Sequence, residues 1–327
     1  MTILVTGSSG HLGEALMRCL GAAGRAARGL DITPSPFTSH VGSITERSVV
    51  RSAMADVTAV IHTATLHKPH VATHTCQDFV DVNVSGTLNL LEEAVAAKAS
   101  AFIFTSTTSV FGDALRPPPG APAAWITEDL RPDPKNIYGV TKTAAEELVA
   151  LFQKLHGLPG IVLRTSRFFP EEDDQRAIRD GYDDANAKAN EFLYRRVDIE
   201  DVVDAHLLAL ERASDLGFER FIISATTPFR PADLAELRTD AAAVLRRYCP
   251  GYEVDYRSRG WSMFPSIDRV YVNTKARDKM GWRPRHDFQA IIERLSRGED
   301  PRSPLARAIG AKGYHDRTFS DRPYPVA

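Results

Sequence analysis

An apolar run, Thr2-Ile3-Leu4-Val5-Thr6, leads directly into Gly7-Ser8-Ser9-Gly10-His11-Leu12-Gly13 and then into Glu14-Ala15-Leu16-Met17-Arg18-Cys19-Leu20. Few architectures accommodate that order. The run reads as a buried strand, the glycines as a tight turn and the last stretch as an amphipathic helix. Gly7 permits the turn, Gly10 lets a pyrophosphate approach the backbone, and Gly13 lets helix and strand pack closely. The helix N-terminus, with the amides around Ser9, His11 and Leu12, then offers free donors to the anion. A second short strand, Ala27-Arg28-Gly29-Leu30, ends at Asp31, where a carboxylate can hold both ribose hydroxyls of an adenosine. Asp31 favours NAD over NADP, because a carboxylate repels a 2′-phosphate and no Arg follows it in Ile32-Thr33-Pro34; Arg28 is the nearby cation that argues the other way.

The second informative stretch is Tyr138-Gly139-Val140-Thr141-Lys142. A Tyr and a Lys four apart share one helical face. A phenol is a poor base at neutral pH, with an unperturbed pKa of about 10, but a nearby ammonium favours the phenolate. The pair is therefore a candidate acid/base unit.

Together these segments resemble the extended branch of the short-chain dehydrogenase/reductase superfamily, the NAD-dependent epimerases, dehydratases and sugar dehydrogenases. The T-G-x-x-G-x-x-G loop of that branch is matched by Thr6 through Gly13, and its Y-x-x-x-K pair by Tyr138 and Lys142. Its strand with a Ser/Thr cluster before V-Y-G is matched by Phe102-Ile103-Phe104-Thr105-Ser106-Thr107-Thr108-Ser109-Val110-Phe111-Gly112. By that alignment Thr107 stands at the catalytic Ser/Thr, while Phe111 replaces the usual Tyr. Val60-Ile61-His62-Thr63-Ala64 resembles the fourth strand, whose end at Ala64 runs along the cofactor. His67 falls where sugar epimerases often place a cofactor-contacting Lys, and Asn83 matches the helix asparagine that supports the active site. Val197-Asp198-Ile199-Glu200-Asp201-Val202-Val203-Asp204-Ala205 is similar to the V-x-D-V-A element, and Asn273 through Arg277 with Met280-Gly281-Trp282-Arg283-Pro284 to the late K-A-x-x-x-L-G-W-x-P signature. Gly42-Ser43 stands where relatives carry Gly-Asp against the adenine.

The resemblance implies NAD as cofactor, with Tyr138 taking a hydroxyl proton, Thr107 holding the substrate oxygen beside Thr108, and Lys142 also binding nicotinamide ribose hydroxyls. The expected reaction moves a hydride between a carbohydrate secondary alcohol and NAD, as in a sugar or nucleotide-sugar epimerase. The 4,6-dehydratases place Asp-Glu after the catalytic Thr; Thr108-Ser109 offers no carboxyl group, so dehydration is disfavoured. In nucleotide-sugar epimerases a long substrate-binding stretch follows the sixth strand. Here Arg164-Thr165-Ser166-Arg167-Phe168-Phe169-Pro170 reaches Val197 through a short acidic segment, which leaves open an alternative: an NAD-dependent dehydrogenase of a small sugar, uronate or polyol acid. Arg167 stands where epimerases have a phosphate-contacting Asn. It is a candidate to grip a substrate carboxylate or phosphate bidentately, or else pairs with Glu171 to Asp174. Some relatives have lost the Tyr or Lys and become cofactor sensors, but both residues are intact here.

Alternating strand and helix patterns imply parallel βαβ units, and an α/β fold: a Rossmann-type doubly wound parallel sheet with a smaller α/β C-terminal substrate lobe. Residues 1–165 are expected to form the NAD-binding domain, with 190–225 returning to it, and 166–189 and 226–327 to form the substrate lobe and tail. Leu88 to Val95 and Ala144 to Leu151 read as amphipathic helices. In relatives the equivalent helices form a homodimer interface, although such faces also simply cover a sheet. Pro117 to Ala124 and Pro132-Asp133-Pro134 read as a rigid loop. Trp261, Met263 and Phe264 wall the substrate pocket or belong to the core.

With 327 residues, 43% hydrophobic, and a formal charge of −2, the chain can bury a large core and gives no electrostatic invitation to nucleic acid or an anionic membrane. No apolar run approaches the roughly 18 residues of a membrane span, and the first strand leaves no room for a signal peptide. Three widely spaced cysteines suit free thiols in a reducing compartment. The expectation is a cytoplasmic protein with a small-molecule carbohydrate substrate and no metal. His67, His70 and His74 have helical spacing, but Pro69 interrupts it, so they are expected to line a cofactor or substrate loop.

Overall fold

The computed structural model describes residues 1–315 and residue 319; the last part of the tail lies outside the described residues. Seven parallel strands form one sheet in the order β3-β2-β1-β4-β5-β7-β8. They are β1 (Thr2–Thr6), β2 (Ala27–Asp31), β3 (His40–Val41), β4 (Val57–His62), β5 (Phe102–Thr107), β7 (Gly160–Thr165) and β8 (Phe218–Ile223). The two strands outside this sheet, β6 (Ala124–Ile126) and β9 (Arg269–Tyr271), pair in parallel as a second sheet.

Period-two burial on both faces explains the layering. Ile3, Val5, Ala59, Ile61, Ile103, Ile161 and Leu163 point to one side, where they pack with the helices His11–Ala22 and Ile199–Leu216. Leu4, Val60, Phe102, Phe104 and Val162 point to the other, under the helices Gly86–Ala96 and Ile137–His156. The chain runs outward through β1, β2 and β3, then returns to β4 and continues the other way. This topological switch places a crevice at the carboxyl ends of β1 and β4.

The Ile137–His156 helix starts at Asn136, whose Oδ1 accepts from Gly139 N at 3.0 Å, and stops at Gly157, in the left-handed region with φ 68°. An Asn cap and a glycine stop delimit it as side-chain and backbone chemistry dictate. Inside it, Glu146 is fully buried and receives both Arg164 Nε and Nη2, the latter at 2.7 Å, together with Ser106 Oγ at 2.5 Å. This charge-assisted trio pins the helix to β5 and β7.

The smaller lobe has its own core of Leu193, Phe229, Leu237, Val244, Tyr252, Tyr256 and Phe288. Trp261, Met263 and Phe264 pack into that core, which decides between the two readings of these side chains. The stretch read as a rigid loop does more than turn: Ala124–Ile126 crosses to the smaller lobe and hydrogen-bonds with β9. The segment between β5 and the Ile137 helix thus leaves the first lobe before returning, which a boundary at residue 165 did not capture. The described tail packs on its own chain. Lys312 pairs with Glu14, Gly313 N donates to Glu171 Oε1 at 3.2 Å, and the Tyr314 carbonyl meets His70 Nε2 at 3.0 Å.

Candidate active site

A cavity of about 970 Å³ lies over the crevice. At one end its wall is the turn Gly7, Ser9, Gly10, His11, Leu12 and Gly13, with Asp31, Ala64, Gly42 and Ser43. Gly7 has φ 71°, and a Cβ on Gly13 would stand 1.8 Å from the Gly7 carbonyl oxygen, so the turn closes only with glycine at both positions. A Cβ on Gly10 would stand 3.2 Å from that same oxygen, a tight contact that a shift of a few tenths of an ångström relieves; packing restricts this position less than Gly7 or Gly13, which suits close approach of a ligand. Asp31 is held in place by Ser9 N at 3.0 Å and Thr33 N at 2.9 Å. Below it, Thr6 Oγ1 accepts from the amides of Thr63 and Ala64, each at 3.2 Å. His62 bridges Thr6 and Thr87 at 2.7 and 3.0 Å, locking β1 to β4 and the next helix.

At the other end the cavity is lined by His67, Thr107, Thr108, Tyr138 and Arg167. The Thr107 and Tyr138 side chains meet on this wall. Burial pushes the Tyr138 phenol's pKa up to about 12, and the Thr107 side chain works in the opposite direction. Lys142 lies one turn further along the same face, fully enclosed, with Nζ donating to the Thr105 carbonyl at 2.6 Å and sitting 3.9 Å from the Phe104 ring centroid. It is not part of the cavity wall. A buried ammonium needs an acceptor, and the β5 carbonyl supplies it.

Burial lowers the Lys142 ammonium to about 7, with Glu146 acting against that shift. The folded value lies below the unfolded one of about 10.4, so charging Lys142 costs stability fully below about pH 7, and the cost fades as pH rises towards the unfolded value. In cofactor-free protein Lys142→Met will raise unfolding free energy by about 2 kcal/mol near pH 6, with little gain near pH 10. Denaturant unfolding of both proteins at the two pH values checks this; an equal gain at both would remove the titration from the account.

Two other expected contacts are also placed differently. Asn83 lies behind the wall, its Oδ1 accepting from Thr65 Oγ1 and Leu66 N, both at 2.8 Å, and its Nδ2 donating to Leu66 O and Thr141 Oγ1, both at 3.1 Å. With four internal bonds it positions the loop after β4 against the Ile137–His156 helix rather than facing a cofactor. Arg167 is engaged by the acidic segment, donating to Asp173 at 3.0 Å and to the Glu172 carbonyl at 2.8 Å. It belongs to a buried network. Glu191 is held below the usual carboxylate range by Arg195, Arg196 and Arg167 in spite of its burial.

His67 packs 6.4 Å from the Tyr138 ring and 5.7 Å from Phe169, and burial drives its pKa down to about 3. It faces the cavity as a neutral imidazole, and Lys68 beside it pairs with Asp174. His70 Nδ1 accepts from the His67 amide at 2.9 Å, and His74 pairs with Thr73, so these histidines build the loop. Among the described residues Asp198, Glu200 and His286 stand close enough to share an ion. However, His286 Nδ1 accepts from Arg294 at 2.8 Å, which leaves the hydrogen on Nε2, the reverse of a metal-bound imidazole. Sequence reasoning missed His62, Glu146, Tyr314, Arg195 and Arg269. Of these only Glu146, four residues past Lys142, carried a local signal, because the others are assembled from distant segments.

A family model described as NAD dependent epimerase/dehydratase matches residues 3–223. The chain belongs to that family. NAD is accordingly its cofactor, and the glycine turn, the open side of Gly10 and the anchored Asp31 fit a dinucleotide. A UDP-glucose 4-epimerase of Lactobacillus helveticus is 24% identical over 88% of this chain and 93% of its own length. The uncharacterized protein y4nG of Sinorhizobium fredii is 33% identical over 170 residues, half of this chain, which thereby spans 40% of that relative. The low-salt glycan biosynthesis protein Agl12 of Haloferax volcanii is 28% identical, with 60% of its length spanned. Among solved structures, an NAD-bound short-chain dehydrogenase/reductase superfamily protein from Agrobacterium tumefaciens has a TM-score of 0.64 at 23% identity, covering 94% of this chain and 99% of that one. A Thermotoga maritima UDP-glucose 4-epimerase with UDP-glucose has a TM-score of 0.62 at 21% identity, covering 91% and 99%. These structures share the fold of this epimerase/dehydratase family member, whose described residues include no helix long and apolar enough to cross a membrane.

Proposed function

We propose that this protein moves a hydride between a secondary alcohol of a carbohydrate and NAD, as a sugar or nucleotide-sugar epimerase. The observation that carries the reading is the meeting of the Thr107 and Tyr138 side chains at the wall of a cavity whose other end is the glycine turn and Asp31. When bound, NAD supplies the hydride acceptor. Thr107 orients the substrate hydroxyl, and the Tyr138 oxygen takes its proton. A phenol held near 12 by burial needs a positive neighbour to ionise, and Lys142, on the same helical face, is the titratable cation available. Thr108 and Ser109 place no carboxyl group beside Thr107, which argues against elimination of water. The likeness to UDP-glucose 4-epimerases over most of the chain supports the sugar class.

A second reading, an NAD-dependent dehydrogenase of a small sugar acid, is favoured by the short segment before Val197 and by the guanidinium groups on the cavity wall. Denaturing gently purified protein and quantifying released NAD by mass spectrometry separates the two. About one NAD per chain surviving dialysis is expected of an epimerase that recycles its hydride; protein that is empty yet binds added NAD reversibly would transfer the assignment to a dehydrogenase.

Self-association through the Ile137–His156 helix belongs to the same proposal. Val140, Leu151 and Leu155 expose one apolar strip along it, and burying such a strip against a second copy is favourable. A cytoplasmic location is supported by the unpaired state of Cys19, Cys76 and Cys249.

A further inference from the structure

A row of aromatic rings joins the two ends of the cavity. His11, on the glycine turn, stands 5.8 Å from Phe169; Phe169 stands 5.7 Å from His67, and His67 stands 6.4 Å from Tyr138. The middle pair comes from different segments, His67 from the loop after β4 and Phe169 from the stretch after β7. Lys68 and Asp174 pair across the same seam. All four rings border the cavity, so the seam between the two segments covers the path from the glycine turn to Thr107.

Tyr314, close to the end of the chain, caps that seam. Its ring lies 5.6 Å from Phe169 and 6.1 Å from His67, within the range of favourable aromatic pairs, and it too borders the cavity. The backbone around it is tied to both segments. On one side the Tyr314 carbonyl accepts from His70 Nε2 at 3.0 Å, and His315 Nε2 donates to the Pro69 carbonyl at 3.1 Å. On the other, the Glu171 carboxylate accepts from Gly313 N at 3.2 Å and from the Tyr314 phenol at 3.4 Å. Lys312 adds a third anchor by pairing with Glu14, in the first turn of the His11–Ala22 helix.

Ties of this kind break readily. Each of them passes through a side chain, and Lys312 is still 35% exposed, where solvent screens its ion pair. A segment held by a few partly solvated bonds opens far more often than the sheet beneath it unfolds. We propose that residues 312–315 form a latch over the seam between the loop after β4 and the stretch after β7, whose opening gates the passage of NAD into and out of the cavity, with Tyr314 as the side chain that holds it shut. The inference rests on the family's cofactor alone and applies equally to an epimerase and to a dehydrogenase. A latch that closes alike over an empty and a filled cavity slows entry and exit by the same factor and leaves affinity unchanged.

Full-length protein and NADH, whose fluorescence reports binding, provide the test. Exit is followed by mixing NADH-loaded protein with excess NAD, and entry by mixing cofactor-stripped protein with NADH. In Tyr314→Ala both rate constants rise by about tenfold, the factor that loss of its aromatic contacts produces. The dissociation constant stays within about threefold of wild type. Lys312→Met, which removes the tie to Glu14 at a residue outside the cavity wall, raises both rates by about two- to threefold, as loss of one exposed ion pair allows. Thermal unfolding of each variant as in wild type establishes that the body is folded. The gate is overturned if both rates of Tyr314→Ala stay within about twofold of wild type. It is equally overturned if exit quickens while entry does not, which would make Tyr314 a direct contact to the cofactor. Neither rate involves hydride transfer, so failure of the gate leaves the proposed reaction standing, and a protein inactive on every sugar would still report the gate.

Discussion

Tyr138→Phe will lower kcat by about 10²- to 10⁴-fold, the range associated with removing a positioned proton-transfer group. The ring stays in place, because Tyr138 is 93% buried by the same packing a phenylalanine would enjoy. What disappears is the phenol oxygen beside Thr107. Stability should change by no more than about 1 kcal/mol, the usual net worth of one hydrogen bond, and NAD affinity should be retained. Steady-state kinetics on the first sugar that wild type turns over, with NAD binding measured alongside, provides the check. A variant within about threefold of wild type would be incompatible with proton transfer at Tyr138.

The second large effect separates two glycines of one turn. In Gly13→Ala the new methyl meets Gly7 O at 1.8 Å, Gly7 C at 2.6 Å and Ser8 Cα at 2.8 Å. All three are backbone atoms, so the helix itself must move. A cost of about 3 kcal/mol in unfolding free energy is expected, with loss of NAD binding. Gly10→Ala meets only Gly7 O, at 3.2 Å, from a residue with φ −73° that any amino acid adopts. Its unfolding should shift by less than about 1 kcal/mol, while NAD affinity falls by about tenfold or more, since the methyl occupies the approach of the pyrophosphate. Thermal unfolding and NAD titration of both variants decide the matter. If Gly10→Ala bound NAD as wild type does, the turn would not be the dinucleotide site.

Local chemistry made much of this molecule legible. The glycine turn lies where its flanking strand and helix put it, because spacing there depends only on neighbours in the chain. Asp31 at the end of β2 follows from strand length, and the helix carrying Tyr138 follows from the Asn136 cap and Gly157 stop. The turn, Asp31 and the helix read out within a few residues, through turn sterics, helix period and strand alternation, whereas Thr107 was assigned by the resemblance of the β5 Ser/Thr cluster to that of the family.

Contacts made across the fold escaped that reading. Helical spacing put Lys142 on the face of Tyr138, yet the ammonium binds the Thr105 carbonyl of a strand far away in sequence. Arg167 had the right charge in the right segment but is consumed by Asp173 and the network around Glu191. Arg269 carried no motif and reaches the cavity because β9 pairs with β6, a strand from the opposite side of the Tyr138 helix in sequence. Sequence spacing specifies which face of an element a side chain occupies. Which donor meets which acceptor depends on burial and on the competition among distant partners, and those exist only once the sheet, its helices and the smaller lobe have packed.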